Sequence, residues 1–163
     1  MWGKVHGLIM QVLLLSIVIV VLDQITKYLV TLKFHLSDSL VLVPGFFSLT
    51  YVRNIGAAWG VLGGWNGILV ALSAVVLVLL IVFRRSFLTD SLIHRISLGL
   101  MLGGIAGNLF DRIRFQYVVD FLDFYWKNHH FPAFNVADSA ICVGVGLYMI
   151  SSFWAHDDQV SRG

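Results

Sequence analysis

Four long apolar runs without a charged residue limit what this chain can fold into. They cover residues 7–22, 67–83, 96–110 and 139–155. Each is slightly shorter than the roughly 20 residues that a helix needs to span a bilayer, and becomes long enough when polar residues at one end are included. We therefore predict an all-α membrane protein with four transmembrane helices and functional groups at the helix ends. The predicted spans are at about residues 7–30, 67–84, 95–113 and 136–155.

Composition predicts a single membrane domain with little mass outside the bilayer. Charged residues make up 12% of the 163 residues, whereas a soluble domain carries about 25%. The net charge of +2 gives no reason to expect a nucleic-acid partner.

The single cysteine, Cys142, excludes an intramolecular disulfide. Residues 23–27, DQITK, follow the first apolar run without a small-x-small cleavage site, so we predict an uncleaved span rather than a signal peptide.

The loops between the spans predict an orientation. Four spans place both termini on the same side of the membrane. Arg84, Arg85 and Arg95 lie between the second and third spans and favour cytoplasmic termini, because positive residues concentrate in cytoplasmic loops. Residues 34–66 would then lie outside the cytoplasm. Within them, residues 46–52 are aromatic and β-branched, which predicts a strand.

Two aspartates in the stretch 117–139 stand in apolar sequence, Asp120 in VVDF and Asp138 in NVAD. Burying a carboxylate costs several kcal/mol unless it is paired or protonated. We predict that Asp120 and Asp138 meet at a membrane surface as a pair of the aspartic-protease type, sharing one proton because two close carboxylates cannot both ionise cheaply. The alternative for Asp138 is a capping role in the first turn of the fourth span, where it shares a face with Asn135.

Polar residues at the other helix ends are candidates for supporting roles. Asp23 and Lys27 are four residues apart and share a helix face, either as a helix-end ion pair or as groups that orient the site. Asn108 and Arg112 also share a face. They form a structural network or hold a carboxylate or a substrate carbonyl, because polar groups at this depth need partners.

Small residues indicate two places of close approach. Gly99, Gly103 and Gly107 recur every four residues in the third span, a spacing that lets helices pack closely. Residues 54–60, NIGAAWG, combine an amide with small residues, which indicates close backbone approach or a tight loop. We expect no metal or cofactor, because the adjacent histidines at 129 and 130 do not share a helix face and no zinc spacing is present.

Five motifs, taken in order, resemble those of bacterial lipoprotein signal peptidase (signal peptidase II). They are Asp23 with Lys27; NIGAA at 54–58; GGIAGNLFDR at 103–112; VDF at 119–121; and FNVADS at 134–139. The resemblance extends from Asp23 to Ile141. Trp59 stands where the family pattern leads us to expect Phe, and Ile105 where we expect Ala.

The resemblance implies an aspartic endopeptidase with Asp120 and Asp138 as its catalytic pair. The residues implied to bind substrate or support the site are Asp23, Lys27, Asn54, Gly56, Asn108, Arg112, Asn135 and Ala137. The implied substrate is a prolipoprotein whose lipobox cysteine carries diacylglycerol, cut on the N-terminal side of that cysteine. The implied location is the bacterial cytoplasmic (inner) membrane, with cytoplasmic termini and the active site towards the extracytoplasmic face. Membrane lipids and globomycin-type inhibitors are further implied partners, and residues 34–66 are expected to form a small β-element and an interfacial helix.

A small proton-coupled transporter or channel is the alternative from another class, because intramembrane Asp, Asn and Arg also mark ion pathways. A transporter would place its charges near mid-span, often in repeated halves. Here the charges cluster at the ends of spans one, three and four, and no internal repeat is evident. The position of the charges therefore favours the peptidase.

Overall fold

The computed structural model describes residues 2–88 and 91–160, which form four α-helices and four β-strands. The helices are α1 (Trp2–Lys33), α2 (Asn66–Val82), α3 (Leu92–Phe115) and α4 (Val136–Val160). The strands are β1 (Ser39–Val43), β2 (Phe47–Asn54), β3 (Val118–Trp126) and β4 (His129–His130). Short 3-10 turns lie at Ala58–Gly60 and Arg84–Ser86.

Three of the helices in the described ranges are long and apolar enough to cross a membrane. Their apolar segments are Val5–Lys33, Leu92–Phe115 and Val136–Phe153. The remaining helix, α2, has 17 residues, fewer than the roughly 20 that a span needs. A helical membrane fold with a small sheet is therefore confirmed, while the count of four spans stays a prediction.

Helix α3 is central and packs against α1, α2 and α4. Its glycines allow the close approach that their spacing predicts. A Cβ atom on Gly103 would lie 2.8 Å from the carbonyl oxygen of Ser16 on α1, and one on Gly104 would collide with the carbonyl of Ala137 on α4. Glycine therefore brings the backbones of α1 and α4 against the same helix, near the ends that carry the polar residues.

The four strands form one antiparallel sheet in the order β1-β2-β3-β4. The strand predicted at residues 46–52 is β2. Its partner β3 places Asp120 opposite Val52, next to a bulge in the β2–β3 register. Between α1 and α2 the chain forms β1, β2 and one short 3-10 turn, Ala58–Gly60. A longer interfacial helix in residues 34–66 therefore stays a prediction.

A buried apolar cluster holds the sheet on the end of α1. It consists of Val30 from α1, Tyr51 from β2, and Val119 and Phe121 from β3. Because side chains alternate along a strand, the residue between Val119 and Phe121 points to the opposite face of the sheet. That residue is Asp120, which is therefore directed away from the apolar cluster.

Candidate active site

Asp120 is a buried carboxylate with both oxygens hydrogen-bonded. The side-chain amide of Asn54 donates to Oδ2 over 2.9 Å, and that of Asn135 donates to Oδ1 over 2.7 Å. The Asp120 residue is 2% exposed. Strand β3 fixes its backbone, and the two amides fix the plane of its carboxylate.

Burial and a neighbouring carboxylate hold a proton on Asp120. Desolvation is the larger cause and the negative charge of Asp138 the next, and together they raise the pKa of Asp120 from 3.8 to about 7. The hydrogen bonds from Asn54 and Asn135 oppose this shift without cancelling it. At neutral pH Asp120 is therefore close to its titration midpoint, where a carboxyl group can either donate or accept a proton.

Asp138 lies in the first turn of α4 and takes part in a reciprocal cap. Its backbone N–H donates to Oδ1 of Asn135 over 2.9 Å, and the backbone N–H of Asn135 donates to Oδ2 of Asp138 over 3.2 Å. This is the geometry of a capping box. The other carboxylate oxygen, Oδ1, accepts a 2.7 Å hydrogen bond from the side-chain amide of Asn108. Asp138 thus caps the helix and also belongs to the polar network of the site.

Asn135 connects the two aspartates. Its side-chain amide reaches Asp120, and its backbone N–H and side-chain oxygen reach Asp138. The same amide lies 3.2 Å from Oδ1 of Asn108. Asn135 is fully buried, with 0% exposure, so it holds both carboxylates in one place without competition from water.

The two aspartates open onto one cavity of about 410 Å³. Polar residues form one part of its wall, and aromatic or aliphatic residues form the other. The polar lining residues are Asn54, Asn108, Arg112, Asp120, Asp138 and Ser139, and the apolar ones include Trp59, Val118, Phe131, Phe134 and Ile141. Five residues predicted for the site therefore line this cavity directly. Asn135 lies behind it, where it hydrogen-bonds Asp120.

Gly56 belongs to a tight loop beside the cavity. A Cβ atom at this position would lie 2.8 Å from the carbonyl oxygen of Val61. Both backbone polar groups of Gly56 are hydrogen-bonded: its N–H donates to the Asn54 side chain over 2.9 Å, and Arg112 donates to its carbonyl over 3.2 Å. The predicted close approach is thus a contact of the loop with itself, and Arg112 in this structure binds the loop.

A buried ionic cluster lies behind the cavity; we refer to Lys27 with Asp23, Asp111 and Asn108 as the Lys27 centre. The ammonium group contacts Oδ2 of Asp23 at 2.7 Å and Oδ2 of Asp111 at 2.8 Å. Its third contact is Oδ1 of Asn108 at 2.9 Å. Lys27 is 3% exposed, so all three of its donors are satisfied inside the protein. The helix-end ion pair predicted for Asp23 and Lys27 is present.

Asp23 also connects α1 to α4. Its Oδ1 accepts the backbone N–H of Ala137 over 3.0 Å. A Cβ atom on Gly107 would lie 2.7 Å from Oδ2 of Asp23, so the glycine makes room for this carboxylate. Ala137 therefore makes this contact through its backbone, and Asp23 and Lys27 lie outside the cavity.

Asp111 is the member of the Lys27 centre that sequence reasoning missed. Besides Lys27, it contacts the side-chain amide of Gln24 at 2.9 Å. The signal was available, because Asp111 follows Asn108 by three residues and therefore shares its helix face.

Asp123, the third aspartate of the stretch, has a structural environment away from the cavity. It accepts hydrogen bonds from the hydroxyls of Ser48 and Thr50, both at 3.1 Å, and contacts the ring of His130 at 2.9 Å. Both hydroxyls bond to the carboxylate rather than to the imidazole. The group therefore lacks the contact between nucleophile and base that a catalytic triad needs.

Comparisons with known proteins agree with this architecture. A family model described as signal peptidase (SPase) II matches residues 15–154. A lipoprotein signal peptidase from Syntrophotalea carbinolica is 45% identical over 144 residues, covering 86% of this chain and 89% of the relative. One from Shewanella pealeana is 50% identical over 148 residues, covering 86% of this chain and 85% of the relative. A bacterial membrane enzyme solved by the in meso method superposes with a TM-score of 0.81 at 32% identity, covering 90% of each chain.

Proposed function

The chain belongs to the signal peptidase II family, and we propose that it removes signal peptides from prolipoproteins as an aspartic endopeptidase. The observation that supports the aspartic mechanism is that two carboxylates, Asp120 and Asp138, line one cavity and are both hydrogen-bonded to Asn135. Such a pair can act as acid and base together without a metal or a nucleophilic side chain.

The chemistry follows from one proton shared by the pair. The ionised carboxylate takes a proton from water as the water oxygen attacks the scissile carbonyl carbon. The protonated carboxyl hydrogen-bonds to the carbonyl oxygen and stabilises the negative charge that develops there. Collapse of the tetrahedral intermediate breaks the C–N bond, and the leaving amine takes up a proton from the pair. The raised pKa of Asp120, about 7, keeps this proton available up to neutral pH.

The substrate we propose is a prolipoprotein with diacylglycerol on its lipobox cysteine, cut on the N-terminal side of that cysteine. The cavity suits such a molecule because its polar wall meets an apolar wall that includes Trp59, Phe131 and Ile141. The site also lies where α1 and α3 end and α4 begins. A lipid-anchored peptide can keep its acyl chains in the bilayer there while its peptide bond enters the cavity.

The proposed setting is the bacterial inner membrane, with cytoplasmic termini and the cavity towards the extracytoplasmic face. Globomycin-type compounds are proposed as inhibitors that occupy the same cavity. The polar residues of the site lie in the last three turns of α1, the last turns of α3, the first turn of α4 and the sheet beside them. They cluster towards one end of the helices, which disfavours a transporter.

Cleavage of a synthetic lipopeptide by the purified chain tests this proposal. We expect one new N-terminus, at the diacylated cysteine, when the products are identified by mass spectrometry. The matched control is the same peptide without the diacylglyceryl group, which should be cut at least tenfold more slowly because it lacks the anchor that positions the scissile bond, and orientation contributes strongly to rate. Cleavage at another bond, or equal cleavage of both peptides, would contradict the proposed specificity.

The pKa of Asp120 predicts how stability depends on pH. In the unfolded chain this carboxyl has a pKa of about 3.9, and in the folded protein it is about 7. Between these values the folded state retains a proton that the unfolded state has lost, so wild-type stability falls as the pH rises. Asp120→Asn lacks this ionisation. Its unfolding free energy should therefore rise relative to wild type by up to roughly 4 kcal/mol between about pH 4 and pH 8.

Unfolding of both proteins in the same detergent, measured at several pH values, checks this expectation. The quantity compared is the difference in unfolding free energy between the two proteins, followed as the pH changes. The cost of a hydrogen bond lost on substitution is the same at every pH and therefore does not affect this change. A gap that stays constant across the range would show that the pKa of Asp120 is not raised.

A further inference from the structure

A second, larger cavity of about 760 Å³ lies on the opposite side of β3 from the active-site cavity. Val119 lines it, whereas its neighbour Asp120 lines the active site. We call this second cavity the α1–α3 groove, because its walls are the last turns of these helices together with β2 and the start of β3. Its lining residues include Lys27, Tyr28, Thr31, His35, Tyr51, Arg53, Phe110, Asp111, Arg114 and Tyr117.

Arg53 presents a guanidinium group held in place by two tyrosines. Its Nε donates a 2.9 Å hydrogen bond to the hydroxyl of Tyr51. Its guanidinium carbon lies 4.9 Å from the centre of the Tyr117 ring and 5.6 Å from that of Tyr51. Stacking on aromatic rings occupies the face of a guanidinium and leaves its N–H edge available.

Arg114 has a similar arrangement on the other wall of the groove. Its guanidinium carbon lies 5.0 Å from the ring of Phe115 and 5.9 Å from that of Phe110. Within residues 2–88 and 91–160, neither Arg114 nor Arg53 forms an ion pair with a carboxylate. Two cations held against aromatic rings therefore line one groove without an ion pair to any carboxylate in the described part of the chain.

The acid in the groove is already engaged. Asp111 is bound by the ammonium of Lys27 and by the amide of Gln24. Because Lys27 is in turn saturated by Asp23, Asp111 and Asn108, the floor of the groove offers no free carboxylate. An anion from outside the protein would therefore supply the counter-charge for the guanidinium groups of Arg53 and Arg114.

The groove also opens onto the ends of two membrane helices. Tyr28 on α1 is 63% exposed and Phe110 on α3 is 46% exposed. Apolar side chains on both helices continue outward from the groove, for example Ile25 and Ile113, which are also exposed. Aromatic and basic residues at a helix end are typical of the interface where lipid headgroups lie.

We infer that the α1–α3 groove binds the headgroup of an anionic glycerophospholipid. Its phosphate accepts hydrogen bonds from Arg53 and Arg114, for which a planar guanidinium is well suited. Its acyl chains lie along the exposed apolar faces of α1 and α3. The diacylglyceryl group of the proposed substrate carries no phosphate and would leave both guanidinium groups unpaired.

The α1–α3 groove shares contacts with the active site, so lipid bound in the groove would also stabilise the active site. Val119 adjoins Asp120, and its carbonyl accepts a 3.3 Å contact from Asn135. Lys27 on the groove floor contacts Asn108, which in turn donates to Asp138. A ligand that binds the folded state alone raises its stability, so the bound lipid should raise the unfolding temperature.

Native mass spectrometry of the full chain in a neutral detergent tests this binding directly. The delipidated protein is titrated with phosphatidylglycerol or with phosphatidylcholine of the same acyl chains. We expect a saturable site for phosphatidylglycerol. Arg114→Gln should weaken it about fivefold, and Arg53→Gln with Arg114→Gln about 25-fold, since each basic group near an anionic lipid surface contributes about a factor of five. Phosphatidylcholine carries the same phosphate, but its choline cation cancels the net charge, so its binding should be weaker and should change less in these variants.

The matched control is the double variant Arg84→Gln, Arg85→Gln, which removes two exposed arginines from the turn between α2 and α3. This protein should keep the phosphatidylglycerol site. Arg114→Lys, which keeps the charge, should bind more tightly than Arg114→Gln, and unfolding without lipid shows whether each variant is folded. Equal binding of the two lipids by wild type, unaltered binding by the folded variant that carries Arg53→Gln and Arg114→Gln, or displacement of the lipid by an equal concentration of inorganic phosphate would overturn the inference.

Discussion

Asp120→Asn and Asp138→Asn should each abolish cleavage of the lipopeptide while the protein stays folded. Asparagine keeps the shape of the side chain but cannot take a proton from water. Loss of one general acid or base removes a factor of about 10²–10⁴ in rate, and groups that act as a unit lose more than a single factor suggests. The two aspartates share Asn135 and one cavity, so we expect turnover below detection for either variant.

The hydrogen bonds around each carboxylate explain why the fold should survive. Both oxygens of Asp120 accept from amides, so asparagine loses one of these bonds, at a cost of about 1 kcal/mol. At Asp138, asparagine can keep the capping contact, because its side-chain oxygen can still accept the backbone N–H of Asn135. Burying a neutral amide is also less costly than burying a charge.

Cleavage assays and thermal unfolding on the same detergent-purified proteins check this expectation. Asp38→Asn is the matched control, since it makes the same chemical change at an exposed aspartate whose contact is the backbone N–H of His35. It should cleave at close to the wild-type rate. Normal turnover by folded Asp138→Asn would show that this residue only caps α4, and the paired-aspartate mechanism would then be wrong.

Lys27→Met should leave little or no folded protein. Methionine preserves much of the side-chain volume but removes the cation from between two carboxylates, which lie 2.7 and 2.8 Å from it. Removing one partner of a buried ion pair costs about 3–5 kcal/mol, and here two acids lose their partner at once. This is a large part of the roughly 5–15 kcal/mol that stabilises a typical domain.

Two matched proteins separate charge from packing in this experiment. Lys33→Met makes the same change at an exposed lysine in the last turn of α1 and should unfold within a few degrees of wild type. The triple variant Lys27→Met, Asp23→Asn, Asp111→Asn removes all three charges, and replacing a whole buried ionic group is far less costly than breaking it. It should recover folded protein. A Lys27→Met protein as stable as wild type would contradict the buried charge centre.

Apolar pattern and local spacing predicted the helices but fewer of the contacts between them. Apolar runs located α1, α2, α3 and α4, and the aromatic, β-branched segment at 46–52 located β2. Strand β3 was not predicted, because aspartate is unfavourable in strands and two aspartates interrupt its pattern, although Val118–Trp126 is rich in strand-forming residues. A charge within a strand is tolerated here because Asn54 and Asn135 supply hydrogen bonds from outside that strand.

Spacing along one helix predicted the Asp23–Lys27 pair but could not predict that Asp111 from α3 also contacts Lys27. Residues four apart on a helix are neighbours whatever the rest of the chain does. Asp111 meets Lys27 only because glycines let α1 and α3 approach closely, which is a property of the packed structure. The hydrogen bond from Arg112 to the loop carbonyl of Gly56 joins α3 to a distant segment in the same way, and spacing along one helix could not identify that partner.

The Lys27 centre also sets the cost of inserting the helices one after another during synthesis. When α1 enters the bilayer first, Asp23 and Lys27 can neutralise each other within that helix, which lowers the penalty of carrying charge. Arrival of α3 adds Asp111, a negative charge with basic residues next in its own chain. The start of α4 then presents the N–H of Ala137 to Asp23, at the end of a helix that favours negative charge. Because Asp23 and Lys27 lie on the same helix, the one cation of the centre is paired before Asp111 and the N–H of Ala137 complete the set of contacts.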